Sequence, residues 1–176
     1  MFPLHPKGWS FHKTDYMNLV ERNDDMLYQR TIYETTEWDD DMLTIAIDFD
    51  CTVIESSYPK VGKSLPNCVE TLKRWTKEYN VGLILHTMRD GKLLDDAVHW
   101  FKENDIPLIG VQSHPTQRDW TQSPKCHANF CLDDRNIGTQ LTLDSKGIPC
   151  VDWNWLEEHF EPLLKRMLKR KLNKEK

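Results

Sequence analysis

Apolar and polar positions follow two alternating patterns along the chain. Between residues 43 and 49, Leu43, Ile45, Ala46, Ile47 and Phe49 make an almost continuous apolar run rich in strand formers. Such a run reads as a strand covered on both faces, as in a parallel sheet. Val81 to His86 repeats the pattern, and His86, within that run, is expected in the core. Leu108 to Val111 and Ala128 to Leu132 are shorter versions, and Ile148 to Val151 predicts an edge strand. Between these runs the period changes. Asn67 to Tyr79 places Val69, Leu72, Trp75 and Thr76 at helical spacing, and Lys92 to Asn104 does so with Leu93, Leu94, Ala97, Val98 and Phe101. A last helix from near Asp152 carries Trp155, Leu156, Phe160, Leu163, Leu164, Met167 and Leu168, and its basic end suits the negative end of the helix dipole.

Strands alternating with helices at this spacing call for right-handed βαβ units. The predicted fold class is α/β, a three-layer α/β/α Rossmann-like fold with a mostly parallel central sheet, over residues 43–152. Residues 1–42 read as an acidic, aromatic N-terminal arm, with a helix over Asp15 to Glu34 and a charged linker over Glu37 to Asp41. Residues 153–176 read as a C-terminal amphipathic helix, packed on the core and ending in a basic tail. Ile54 to Lys63, with Pro59 and Gly62, is a short flap, and Gln112 to Pro124 is irregular. No stretch between the predicted strands is long enough for a large cap domain.

Charge changes the picture mainly by its distribution. The arm holds nine acids against four bases, so the whole net charge of −5 resides there. The last twelve residues hold seven Lys/Arg against one Glu, which leaves the part between mildly acidic. That argues against a dedicated nucleic-acid binder, which shows a basic face. The five cysteines include no Cys-x-x-Cys pair, so neither a disulfide scaffold nor a cysteine zinc site is expected. There is no charged-then-apolar leader and no run of membrane-spanning length, so the expected setting is soluble, reducing and cytoplasmic, away from membranes.

The candidate chemistry stands at the strand ends. The first strand closes on Asp48 and Asp50, the second on Thr87 and the fourth on Asp133 and Asp134, with Lys125 shortly before the fourth. Parallel strands bring their carboxyl ends to one edge, where ligands of open α/β sheets bind. Crowded carboxylates there need a cation, and a divalent metal is the simplest.

Asp48-Phe49-Asp50-Cys51-Thr52-Val53, Thr87 after an apolar strand, Lys125, and Asp133-Asp134 together resemble the haloacid dehalogenase superfamily of aspartate-nucleophile phosphatases. The segments L-H-T-M-R-D-G and S-P-K-C-H-A-N-F-C-L-D-D-R-N-I-G look like its small, capless members, and the resemblance spans roughly 43–151. It implies a HAD-like fold and a Mg²⁺-dependent phosphomonoester hydrolase working through an aspartyl-phosphate. Asp48 would be the nucleophile and Asp50 the acid and base, with Thr87 and Lys125 completing the catalytic set. Asp48, Asp133, Asp134 and Asp50, the last through its backbone carbonyl, would hold the metal. Thr52, Met88, Arg89 and Arg135 would meet substrate, though both arginines are equally suited to pairing with nearby acids. Cys51 departs from the pattern, where most relatives have glycine.

The expected substrate is a small phosphorylated molecule. The open site leaves a lid to the flap, the arm or a second subunit, so a homo-oligomer stays open. Two rival readings are a catalytically weak metal-binding module and a nucleic-acid 3′-end phosphatase whose basic tail follows the backbone.

Overall fold

The computed structural model describes residue 33 and residues 35–174; the helix expected over Asp15 to Glu34 and the aromatic residues Trp9, Phe11 and Tyr16 lie outside them. Thr35–Lys176 forms one compact unit, beginning ahead of the expected start at 43. Within it the Thr36 amide donates to the Leu108 carbonyl, and Trp38 and Met42 pack against the core.

The fold is α/β and Rossmann-like. Strands β1 (Leu43–Ile47), β2 (Val81–Leu85), β3 (Gly110–Val111) and β4 (Phe130–Leu132) form a four-stranded sheet in the order β3-β2-β1-β4, every pairing parallel. All five residues of β1 and of β2 are buried, as their unbroken apolar runs require. Helices α1 (Cys68–Glu78) and α2 (Gly91–Glu103) make the crossovers. In α1 the buried stripe is Cys68, Thr71, Leu72 and Trp75, rotated slightly from the predicted one, and Val69 and Thr76 are only half-buried. In α2 it is Leu94, Ala97, Trp100 and Phe101, with Leu93 and Val98 half-buried. Phe49 packs edge-on against Trp100 at 5.7 Å, which pins the end of β1 to α2.

The other sheet face carries Ala46 and Ile84, packed with Ile109 and Cys126 and flanked by Trp38, Met42 and Ala128. Here the outer layer is irregular chain around the short helix α3 (Gln117–Trp120). The buried Gln117 side chain holds it, donating to the Ser123 and Lys125 carbonyls and accepting from the His127 amide. No cap domain interrupts the described residues.

One expectation about edges needs correcting. Ile148 to Val151 does not border the central sheet. Strand β6 (Pro149–Val151) pairs antiparallel with β5 (Leu141–Leu143), a strand not predicted, in a separate two-stranded sheet. At its turn Gly147 takes φ +76°, a region glycine enters without steric cost. The edge beside β1 is β4, where the Cys131 carbonyl faces away from β1 and accepts from Asn136 Nδ2 at 3.1 Å.

The C-terminal helix runs as α4 (Trp153–Trp155), a π-helical turn (Leu156–Phe160) and α5 (Glu161–Lys174). Asp152 caps it by accepting from the Trp155 amide. Trp155 and Leu163, predicted on the apolar face, are exposed, whereas Glu161 is buried. Its carboxylate accepts from Arg74 Nε at 3.0 Å, Trp75 Nε1 at 3.3 Å and the Tyr79 hydroxyl at 3.0 Å, and pairs with Lys165 at 3.0 Å. A polar knot therefore ties α5 to α1. Further along, Lys171 donates to the carbonyls of Asp40 and Met42, at the entry to β1. The basic end of the helix thus lies at the sheet edge opposite Asp48.

Candidate metal centre

Asp48 follows β1 directly. Its amide donates to the Leu132 carbonyl, which carries the parallel ladder one residue past the strand and sets Asp48 beside the end of β4. Asp133 and Asp134 follow β4. Asp48, Asp133 and Asp134 each offer a carboxylate oxygen, and these atoms all lie within 4.8 Å of one another. Burial, with Asp133 and Asp134 nearby, pushes the Asp48 carboxyl up to about 7, against the lowering pull of the Phe49 amide and the Thr52 hydroxyl. Asp134 is raised as well, by burial and by Asp133. Asp48 and Asp134 are thus destabilised as anions, and a cation shared with Asp133 would relieve them.

Thr52 orders the group. Its fully buried hydroxyl donates to Asp48 Oδ2 at 3.2 Å and accepts from the Asp134 amide at 3.1 Å, so one side chain sets the spacing between two strand ends. The Thr52 carbonyl is itself held by Trp153 Nε1 at 2.7 Å. Cys51 takes φ +56°, which accounts for glycine suiting that position.

Asp50 stands apart from the three. Arg89 forks onto it, Nε to Oδ2 at 2.7 Å and Nη2 to Oδ1 at 2.8 Å. The same guanidinium, 2% exposed, donates to the carbonyls of Pro59 at 3.0 Å and Lys60 at 2.9 Å. Most of its donors are thus engaged inside the protein, and the expected substrate contact is not what this side chain makes. The cation that holds Asp50 is Arg89. Replacing Arg89 with Met leaves a carboxylate and two carbonyls unpartnered, and the expected loss is about 3–5 kcal/mol. It reads as a lower urea midpoint with unchanged m-value. Lys should restore only a part, because an ammonium cannot form the fork. A loss under about 1 kcal/mol in Arg89→Met would reduce the pair to the worth of a surface contact.

Comparison with known proteins adds one relation. No family model matches the sequence, and no curated protein does. Among solved structures, the conserved protein coded by a locus from Bacteroides thetaiotaomicron is 35% identical, with a TM-score of 0.56, over 69% of this chain and 91% of that one. The chain belongs to the family of that conserved protein.

The remaining predicted site residues lie around the acids. Thr87 is half-buried, its hydroxyl accepting from the Arg89 amide at 3.3 Å. Met88 and Arg135 are exposed, and the Arg135 amide caps Asp133 at 2.8 Å. Lys125 is exposed in the loop before β4, its amide held by the Ser123 hydroxyl at 3.2 Å. His86 is not in the core: it is exposed one residue beyond β2, with partial desolvation lowering its pKa and Asp133 opposing the shift.

Gln112 was not anticipated. It accepts from the Thr87 amide at 3.1 Å and donates to the Thr87 carbonyl at 2.6 Å, fixing that strand end. Its one signal in the sequence was a polar residue directly after a buried strand. A cavity of about 440 Å³ lies elsewhere, between Phe130, Leu132, Trp75 and Phe160; its lining is mainly apolar, with Asn136, Thr139 and Gln140 adding polar groups, and includes none of the acids. Among the described residues no helix is long and apolar enough to cross a membrane.

Proposed function

We propose that this chain is a Mg²⁺-dependent phosphomonoester hydrolase of the haloacid dehalogenase type, acting through an aspartyl-phosphate on Asp48 in the cytoplasm. The observation that carries the reading is the meeting of Asp48, Asp133 and Asp134 at the carboxyl edge of a parallel sheet. The donor set fits the ion. Hard carboxylate oxygens suit Mg²⁺, which keeps several waters and needs few protein ligands. Asp48, Asp133 and Asp134 would hold it, and when bound it would offset the charge that keeps phosphate and carboxylate apart.

The chain supplies the rest. Thr52 occupies Asp48 Oδ2, which leaves Oδ1 to attack phosphorus as the ester P–O bond breaks. Water then forms its bond to phosphorus, inorganic phosphate leaves, and the Asp48 carboxylate returns. Asp50, aimed by Arg89, protonates the leaving oxygen and takes the proton from that water, roles that typically contribute about 10²–10⁴-fold. The Thr87 hydroxyl accepts from the Arg89 amide and keeps its own proton for a phosphate oxygen. Lys125 has an ammonium to offer a dianionic group.

The decisive assay is phosphate release from p-nitrophenyl phosphate and acetyl phosphate. Activity should vanish on EDTA treatment and return with Mg²⁺. Release indifferent to metal, or none from either compound, would sink the proposal. Binding should also stabilise the fold by about 2.7 kcal/mol at a hundredfold excess of Mg²⁺ over its Kd. That gain should be strongly reduced in Asp133→Asn, as read by thermal unfolding.

A further inference from the structure

The flap between β1 and α1 is fastened at both ends. At its root the Glu55 amide donates to the Lys63 carbonyl at 2.8 Å, and the Ser56 amide donates to Asp144 Oδ2 at 3.2 Å in the β5–β6 turn. At its tip Arg89 holds the Pro59 and Lys60 carbonyls. Between these ties stands Tyr58. The Arg89 guanidinium lies over two rings, Phe49 at 5.1 Å and Tyr58 at 5.4 Å from their centroids. Phe49 is fully buried, but Tyr58 is 65% exposed. A large aromatic ring is therefore held in place on a fixed loop, one guanidinium away from the Asp50 carboxylate, and shows most of its surface to solvent.

The other loops at this edge repeat the pattern. Met88, beside Thr87, is 92% exposed, and Ile137, shortly after Asp134, is fully exposed. Val61 adds a further apolar side chain from the flap. Apolar side chains thus stand exposed on the loops that follow β1, β2 and β4.

We propose that Tyr58 is a stacking platform that selects phosphomonoesters whose alcohol carries a planar aromatic ring close to the ester oxygen. The inference rests on the phosphatase reading. In that reaction the leaving oxygen faces Asp50, so the alcohol emerges on the side where Arg89 and Tyr58 stand. Because the ring is already fixed, stacking costs little ordering entropy.

Benzyl phosphate and methyl phosphate test this, because their alcohols are of nearly equal acidity and differ mainly in the ring. With Mg²⁺ present, kcat/KM should favour benzyl phosphate by about tenfold or more, the effect of one stacked ring. Tyr58→Ala should remove the preference through KM with kcat for methyl phosphate unchanged, and Tyr58→Phe should keep it. Binding of benzylphosphonate and methylphosphonate, measured calorimetrically, gives the same comparison without turnover. Equal kcat/KM for the two esters, or a preference that survives Tyr58→Ala, overturns the platform and leaves the phosphatase reading standing. No turnover of either ester, with benzylphosphonate still bound about tenfold tighter and the excess lost in Tyr58→Ala, removes the hydrolase reading and keeps the platform.

Discussion

Asp48→Asn is expected to lower Mg²⁺-dependent phosphate release from p-nitrophenyl phosphate on the order of 10⁴-fold or more, because an amide cannot replace a carboxylate nucleophile. The substitution is close to isosteric, and the Thr52 hydroxyl can still donate to the side-chain oxygen, so the fold should persist. In metal-free buffer the variant should be at least as resistant to heat as the parent. It removes one of three carboxylates whose oxygens lie within 4.8 Å of one another. The same change should erase most of the stabilisation that Mg²⁺ confers. A variant with substantial activity would show that Asp48 is not the attacking group. One that is inactive and also markedly less stable without metal would show that the three acids are held together by contacts other than a shared cation.

Glu161→Gln should have a large and pH-dependent effect on stability. Burial works against the Glu161 charge, but hydrogen bonds from Arg74, Lys165 and Tyr79 outweigh it and bring its pKa down to about 2 from 4.5. A carboxyl depressed on folding stabilises the protein above its unfolded pKa. That contribution falls away as the pH drops from about 4.5 towards about 2. The shift corresponds to about 3 kcal/mol at neutral pH, in line with the cost of breaking one side of a buried ion pair. Urea unfolding at pH 7 should therefore find Glu161→Gln less stable by about that amount. Near pH 2 the two proteins should converge. A difference that stays constant across this range would assign the loss to packing at the π-helical turn instead of to charge.

Strands β1 and β2 were legible because both are buried on both faces. For β1 and β2 a continuous apolar run leaves few other readings, and the parallel sheet then places Asp48, Asp133 and Thr87 at one edge. Of the β5–β6 hairpin, β6 was legible as a strand and β5 was not. Leu141, Thr142 and Leu143 alternate apolar and polar over only three residues, and all three are exposed, so the signal is too short to mark a strand. The helix faces were read to within part of a turn, since small residues such as Cys68 and Thr71 can be buried without adding to an apolar count.

The roles of single side chains were harder to read. Arg89 and Asp50 are 39 positions apart, and nothing local marks their pairing. A pair of acids spaced two apart suggested one shared cation. In the folded chain Phe49 anchors to α2 between them, and they part: Asp48 joins the acids after β4 and Asp50 joins a guanidinium. Glu161 was hidden for a related reason. Its partners Arg74, Trp75 and Tyr79 lie more than eighty residues earlier, so nothing local marks this charge in an apolar stripe as buried.

The outward carbonyl of β4 has a consequence for how copies of this chain can meet. A bare sheet border is a template on which a second chain can add a strand, and proteins commonly blunt such borders. Here the border strand is three residues long and its Cys131 carbonyl is already taken by Asn136. Self-association by strand addition would have to evict that amide for a short ladder, so replacing Asn136 with valine should leave the protein more prone to aggregate.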